Sequence, residues 1–489
     1  MPVPSESQSL PFDPADPKAA LSQLPQSSAV FALYGAEAHA QPYIGRTPSL
    51  RARLERLLQP SPKHPRRLQL AGRVRRIVWR LTGSDFESLL LQFELLEEIY
   101  GPKSLERMHL GHPAFIRFLG SNRYPRITVT HRPSKREADW AYGPFASRAS
   151  AERFSDEALK LFLLRRCTDE LDPNPSHPGC VYSEMKMCLA PCYQGCTDER
   201  YGEEAAAVES FLATRGESRL VTLRTARDEA SANLEFESAA ALHTQVQRAE
   251  AVRALAPELV RPLSQLRAVI LQASANPGEV AVFLFENARL RGPAPFSTLG
   301  MRIQNEQSGS SSLFAHPVAI EPIPEPAEIE DQGSEIREQG TRNREQGTEI
   351  RDQRSETGSQ GSGIAPGPSE QEVSGHEFSR VAFSPQLSGA LASKESASDP
   401  PPRLSRSILE ARMEATLSSL KKSAESPSAT VRQGHLALLK RWYYRPEARR
   451  AGEIFFPDDE GLWPVKAILR GAGRVAAKML TTANPQAGV

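Results

Sequence analysis

Residues 303–403 decide what the rest of the chain must be. They hold three aromatic side chains, Phe314, Phe378 and Phe383, and neither Trp nor Tyr. Within them a seven-residue unit recurs over 330–357: EDQGSEI, REQGTRN, REQGTEI, RDQRSET. A heptad repeat makes a coiled coil only when its a and d positions are apolar. Here only Ile336 and Ile350 qualify, and every unit but the last carries Gly. Such a segment cannot bury enough apolar surface to offset its ordering entropy, so it reads as a disordered linker. The same bias marks the whole chain, with 40 Pro in 489 residues and 39% hydrophobic residues, against about 45–50% in an ordinary globular protein. The folded part must come from the two flanks.

The N-terminal flank reads as a small α/β module. Residues 1–27, rich in Pro, Ser and Asp, suggest a loose arm without the basic and apolar regions of a secretory signal. AVFALY (29–34), PYIG (42–45) and RRIVWRL (75–81) have strand length. Leu50, Leu54, Leu57 and Leu58 recur at helical spacing after Ser49, a candidate N-cap. Ser84 with Glu87 three residues on forms a capping-box pattern before an amphipathic helix over 84–100. Further strand-like pieces, AFIRF (114–118) and RITVTH (126–131), precede a helix expected to end near Arg166. Residues 203–255 suggest two antiparallel helices with a turn near Arg215–Ser218 or Asn233–Glu235. AVILQA and VAVFLFE suggest a β-hairpin turning at Asn276–Pro277–Gly278. The C-terminal flank suggests two helices, a short strand at EIFFP and a last helix over 464–480. No run of about 18 apolar residues occurs, so no membrane span is expected.

Charge is nearly balanced, with 60 Lys+Arg against 59 Asp+Glu. Locally it is not. Between Arg46 and Arg80 stand eleven cations and one acid, Glu55. Arg51, Arg56, Lys63, Arg66, Arg67, Arg73, Arg75 and Arg76 are the candidate phosphate contacts, and such a face makes nucleic-acid binding salt-dependent.

On the same module, ALYG followed by PYIGRTPSLRARL resembles the GIY-YIG nuclease pattern. More closely, it is similar to the N-terminal nuclease of the UvrC excinuclease family, including that family's shorter single-nuclease forms. The resemblance implies that Tyr34 and Tyr43 are the two motif tyrosines and that Arg53 is the helix arginine. Arg46 stands where the family usually has Lys. Phosphodiester hydrolysis needs a base near the attacking water and cations at the charged transition state. The first motif is degraded to Ala32–Leu33–Tyr34, whereas Tyr43–Ile44–Gly45 is intact. The second helix departs further. The family's S-E-x-E-A-L-L-L-E ends on the carboxylate that holds Mg or Mn, and here Gln92 occupies that position. Glu94 lies about 200° round the helix, and Asp85 shares the face but sits about 10 Å away. The family's Arg-Pro-x-Tyr-Asn stretch is not found after Tyr100.

All five Cys fall between 167 and 196. An odd number crowded into one segment points to metal or redox chemistry in a reducing compartment, which favours the cytoplasm. Cys188, Cys192 and Cys196 would share a face if helical. Cys188–Leu189–Ala190–Pro191–Cys192 and the upstream Tyr142–Gly143–Pro144–Phe145 resemble UvrC elements. That resemblance implies a 4Fe–4S cluster on Cys167, Cys180, Cys188 and Cys192; zinc is the alternative thiolate metal. Cys196 is then spare.

Residues 233–250, NLEFESAAALHTQVQRAE, resemble the UVR motif. Leu234, Glu235, Phe236, Glu237, Ala239 and Ala240 match, while His243–Thr244 replace its Arg-Asp. The implied partner is the helicase UvrB. Residues 266–302 and 438–457 resemble the UvrC homology region, split by the insert, and nothing beyond resembles the family's RNase H-like nuclease. The expected fold is α/β (α+β) multidomain: an arm (1–27), a three-stranded GIY-YIG module (28–102), a cysteine-bearing linker (103–202), a UVR hairpin (203–255), a split homology region (266–302, 404–482) and the disordered insert (303–403). Two functions follow from the resemblance. One is metal-dependent incision of damaged DNA beside UvrB; the other is a catalytically weak DNA- and UvrB-binding adaptor.

Overall fold

The computed structural model describes residues 7–37, 40–59, 70–131, 140–301, 404–421, 427–446 and 449–483. All of them belong to one compact unit. The heptad-length repeat and the rest of 302–403 lie outside the described residues. The architecture is mixed α and β, with three small antiparallel sheets.

The first sheet joins β1 (Gln8–Pro11), β2 (Ala29–Gly35), β3 (Tyr43–Thr47) and β4 (Val74–Leu81) in the order β1-β4-β2-β3. Helices α1 (Pro17–Ser22) and α2 (Leu50–Leu58) cover one face, and α3 (Asp85–Tyr100) covers the other. β2 shows why its sequence does not alternate. Ala29, Phe31 and Leu33 meet Leu50, Leu54, Leu57 and Leu58 of α2. Val30 meets Leu91 and Leu95 of α3, while Ala32 and Tyr34 meet Ile44 and Val78. A strand buried on both faces reads as a continuous apolar run.

Residues 7–27 correct the expectation of a loose arm. β1 pairs with β4, so this sheet has four strands rather than three. Phe12, Leu21 and Leu24 close the end of its core. The arginine Arg51 fixes α1 from α2, donating to the carbonyls of Leu24 (2.7 Å) and Ser22 (2.8 Å). Scattered apolar residues among Pro and Ser carry little periodic signal, yet they suffice to finish an existing core.

Around β5 (Ala114–Phe118) the second sheet gathers β6 (Ile127–Thr130), β7 (Ala141–Phe145) and, after helices α4 (Ser104–Arg107) to α9, β8 (Arg261–Pro262), in the order β6-β5-β7-β8. α5 (Arg148–Ala158) stops well before Arg166. It is followed by α6 (Val181–Glu184), α7 (Asp198–Ala213), α8 (Glu217–Ala232) and α9 (Phe236–Ala254). Three helices thus replace the expected two over 203–255, and both candidate turns are real. Gly216 sits at φ 90° and Leu234 at φ 64°. Phe145, Phe154, Phe162, Tyr201 and Phe211 form the core here.

The third sheet holds β9 (Ala268–Ala273), β10 (Glu279–Glu286), β11 (Arg289–Ser297) and β12 (Glu453–Phe455) in the order β11-β10-β9-β12. The expected hairpin therefore gains a strand. Its second turn is Asn287–Ala288 at φ 54° and 56°, a left-handed pair built without the usual glycine. β12 pairs with β9, Glu453 opposite Leu271 and Phe455 opposite Val269, so the two flanks of the insert share one sheet. α10 (Arg406–Lys421) and α12 (Val465–Ala483) pack on one face of this sheet. α11 (Ala429–Tyr443) packs on the other, together with α3.

α3 is consequently buried on two sides. Leu91 and Leu95 face the first sheet, while Phe86, Leu89, Leu90, Phe93 and Leu96 face α11 and the third sheet. The Phe86 ring lies 5.2 Å from Phe283 and 5.4 Å from Trp442. Truncating such a side chain to Ala costs about 3–5 kcal/mol. At the crossing, a Cβ on Gly434 would stand 2.0 Å from the Phe93 ring, so only glycine permits this approach. Among the described residues, no helix is long and apolar enough to cross a membrane.

Candidate nucleic-acid interface and cysteine site

The register of β2 and β3 divides the motif residues between two layers. Leu33 pairs with Tyr43 and Ala32 with Ile44. Paired residues of an antiparallel ladder share a face and neighbours alternate. Tyr43 therefore joins Phe31 on the α2 side, their ring centroids 6.2 Å apart. Gly45 is required there, because a Cβ would fall 2.7 Å from the Phe31 ring. Arg53, half-buried on α2, belongs to this layer and lies about 200° round the helix from Arg51.

Tyr34, Arg46 and Gln92 belong to the α3 layer. Tyr34 is 5% exposed, and the Arg76 guanidinium stands 4.7 Å from its ring centroid. Burial pushes the phenol pKa up; the Arg76 charge opposes this and Glu98 adds to it. A tyrosine with a raised pKa is a poor general base at neutral pH. Arg46 pairs across from Val30, four residues or about 13 Å along β2 from Tyr34. It does not face Tyr34 but forms an ion pair with Asp85 at the first turn of α3. Gln92 is half-buried on the Asp85 flank of that helix. The register thus places Tyr43 on the face covered by α2, and Tyr34 and Arg46 on the face covered by α3.

The basic stripe divides in the same way between structural and open cations. Arg51 holds α1. Arg75 donates to the carbonyls of Gly72 (3.0 Å) and Val74 (2.8 Å), and Arg76 covers Tyr34. Arg56, Arg73, Arg75 and Arg76 are exposed. Lys63, Arg66 and Arg67 lie outside the described residues. One further cation escapes sequence reasoning. Arg445, after α11, donates to Asp85 at 2.6 Å, so one carboxylate holds two arginines. Burial opposes ionisation of Asp85, but the hydrogen bond from Arg445 and the charges of Arg46 and Arg445 outweigh it and hold the pKa below the usual carboxylate value. Arg445 is 360 residues from Asp85, beyond the reach of any local pattern.

The cysteines lie on loops between α5 and α7. Cys188 and Cys192 flank Ala190, which sits at φ 57°, so no continuous helix aligns Cys188, Cys192 and Cys196. The Cys188 thiol accepts from the Ala190 amide at 3.3 Å. Its pKa is pushed up to about 11, first by burial and then by Cys167, Cys180 and Cys192, against the Ala190 hydrogen bond. Cys192 is raised by burial and by Cys180 and Cys167 as well. Cys196 is raised by burial, then by Asp198, and among the thiols by Cys192 alone. Among the described residues, no three His, Cys, Asp or Glu stand at metal-holding distances.

The helical hairpin of α8 and α9 has an apolar cluster toward its base, where Leu220, Leu223, Val246 and Ala249 meet. At the tip Leu234 is 71% and Phe236 67% exposed, and Glu235, Glu237 and Ala240 are exposed beside them.

Comparison with known proteins gives a family relationship for the middle of the chain. Residues 115–211 match the UvrC/Cho excinuclease middle domain, a span that runs from β5 into α7 and includes all five cysteines. The chain is 32% identical over 239 residues to the UvrABC system protein C of Alcanivorax borkumensis, covering 49% of this chain and 39% of that one. It is 30% identical over 232 residues to the protein of that name from Pseudomonas fluorescens, covering 47% and 37%. The Aliivibrio fischeri protein is 29% identical over 235 residues, covering 47% and 38%. The matched stretch thus spans about two-fifths of these curated relatives. No solved structure matches.

Proposed function

We propose that this chain, a UvrC relative by its middle domain, is an excision-repair protein that binds DNA and UvrB and cleaves weakly or not at all. The observation that carries the reading is the split of the motif residues. Tyr43 and Arg53 belong to the α2 layer, while Tyr34, Arg46 and Gln92 belong to the α3 layer. Phosphodiester hydrolysis needs its base and its cations around one phosphate. The amide of Gln92 offers no charge to hold Mg²⁺ or Mn²⁺, which prefer carboxylates. The exposed arginines of β4 and α2 retain what phosphate binding requires.

The resemblance assigns Cys167, Cys180, Cys188 and Cys192 to a metal, a 4Fe–4S cluster in this reading and zinc in the alternative; among the described residues no three of them stand at metal-holding distance, so binding would have to draw their loops together. Bound there, it would tie the loops between α5 and α7 together. The exposed Leu234 and Phe236, flanked by Glu235 and Glu237, suit docking against a matching hairpin of UvrB. The cytoplasm is the compartment this work requires. The reading is tested with purified full-length chain, UvrB and a lesion-bearing duplex. Binding that persists in EDTA, with strands left intact in Mg²⁺, supports it. Nicking by the wild-type protein restores the incision reading.

A further inference from the structure

We infer that Arg46 and Arg445, held side by side by Asp85, form a phosphate clamp for a nucleic-acid backbone at the N-terminal end of α3. The inference rests on the DNA-binding reading and deepens it by adding a contact from the far flank of the insert. Asp85 accepts from Arg46 on one carboxylate oxygen and from Arg445 on the other, the latter at 2.6 Å. Each arginine spends one terminal nitrogen on the carboxylate. A guanidinium has five N–H donors, so each keeps donors for two oxygens of a phosphate. Their side chains are 32% and 27% exposed, open enough for a ligand and held enough to be oriented. Two cations share one anion, so the trio carries a net positive charge, and the positive end of the α3 dipole adds to it.

The position of Arg445 is set by packing rather than by the ion pair. α11 is fixed against α3 by Gly434 under Phe93 and by Trp442 against Phe86. The residue just before Arg445, Tyr444, donates its hydroxyl to the Pro144 carbonyl at 2.9 Å. Exposed ion pairs add little to stability, so stability alone gives little reason to place two arginines on one aspartate. Gln92 lies about 20° round α3 from Asp85 and about 10 Å along it, on the same flank.

The test is anisotropy titration of a labelled duplex with the full-length chain in EDTA, at several salt concentrations. Arg46→Ala and Arg445→Ala should each weaken binding several-fold and lower the salt slope by about one. Asp85→Asn should also weaken binding, although it removes a negative charge, and Asp85→Glu should recover most of it. Arg445→Lys, which keeps the charge and loses the fork, should retain the slope and weaken binding partially; it also serves if Arg445→Ala does not fold. Asp85→Asn binding as tightly as wild type or tighter overturns the inference, as does an unchanged slope in Arg445→Ala. Arg56→Ala combined with Arg73→Ala separates the two readings. If that pair weakens binding and Arg445→Ala does not, the clamp fails and the DNA-binding reading stands. If wild type does not bind at all, both fail.

Discussion

His435 is the most deeply buried titratable group in the contact between α3, α11 and the third sheet. It is 2% exposed, and its Nδ1 accepts from the Leu290 amide at 2.9 Å. Burial first, then the charges of Arg289 and Arg291, hold its pKa down to about 3. The unfolded chain titrates near 6.5, so between these values the unfolded state binds a proton that the folded state refuses. The stability contribution is complete above about pH 6.5 and is lost as pH falls toward 3. Urea midpoints measured across that window should fall with acidification, and more shallowly in His435→Asn; equal slopes would contradict the assignment. The cysteines give a second prediction at this scale. Anaerobically purified protein should be brown with bound iron, and Cys188→Ser should lose the metal while Cys196→Ser keeps it. Zinc alone, or no metal in the wild type, would defeat the iron–sulfur proposal. Some of this is legible in the sequence. The Tyr43–Ile44–Gly45 motif is visible in the sequence, but the reason for its glycine is the Phe31 ring on the neighbouring strand. The use of Arg51 as a support for α1 is not visible there, because a cation's partner is set by the fold and not by its neighbours in sequence.

Among the elements, α3 is legible as a helix capped by Ser84, whose hydroxyl accepts from the Glu87 amide at 3.1 Å. Its second buried side is not, since a helix packed on two sides blurs the single apolar stripe from which amphipathicity is read. The Glu87 carboxylate also reaches one residue further than a capping box requires, to the Gly83 amide at 2.9 Å. The strand β11 escapes the sequence pattern because its turn uses Asn287–Ala288 in place of a glycine-containing pair. The hairpin turn at Leu234 is legible, and its exposed tip yields a prediction. Phe236→Ala should weaken capture of UvrB by about 30-fold, the equivalent of about 2 kcal/mol for a buried interface aromatic. The variant should melt with the wild type, because the hairpin base is packed through Leu220, Leu223, Val246 and Ala249 instead. Unchanged capture would assign UvrB recognition to another surface.

At the scale of the molecule, residues on both sides of 302–403 share one sheet and one core. β12 pairs with β9, and α11 packs on α3. The N-terminal module is therefore not a separate bead. Its α3 is the common wall of the first and third sheets, and Asp85 at the start of that helix receives an arginine from each flank. The sequence suggests that the homology region is split and rejoined. It does not show that rejoining places Arg445 beside the motif residues, because no spacing rule spans that interval. The proposed function is that of a scaffold that binds DNA without assembling a cleavage site. The most direct test is strand nicking of a lesion-bearing duplex with UvrB in Mg²⁺ or Mn²⁺, comparing wild type with Gln92→Glu. A stable complex and intact strands are expected from both, because a carboxylate restored on α3 lies on the opposite face of the sheet from Tyr43. Nicking by either protein that disappears when Arg53→Ala is added would contradict the proposal.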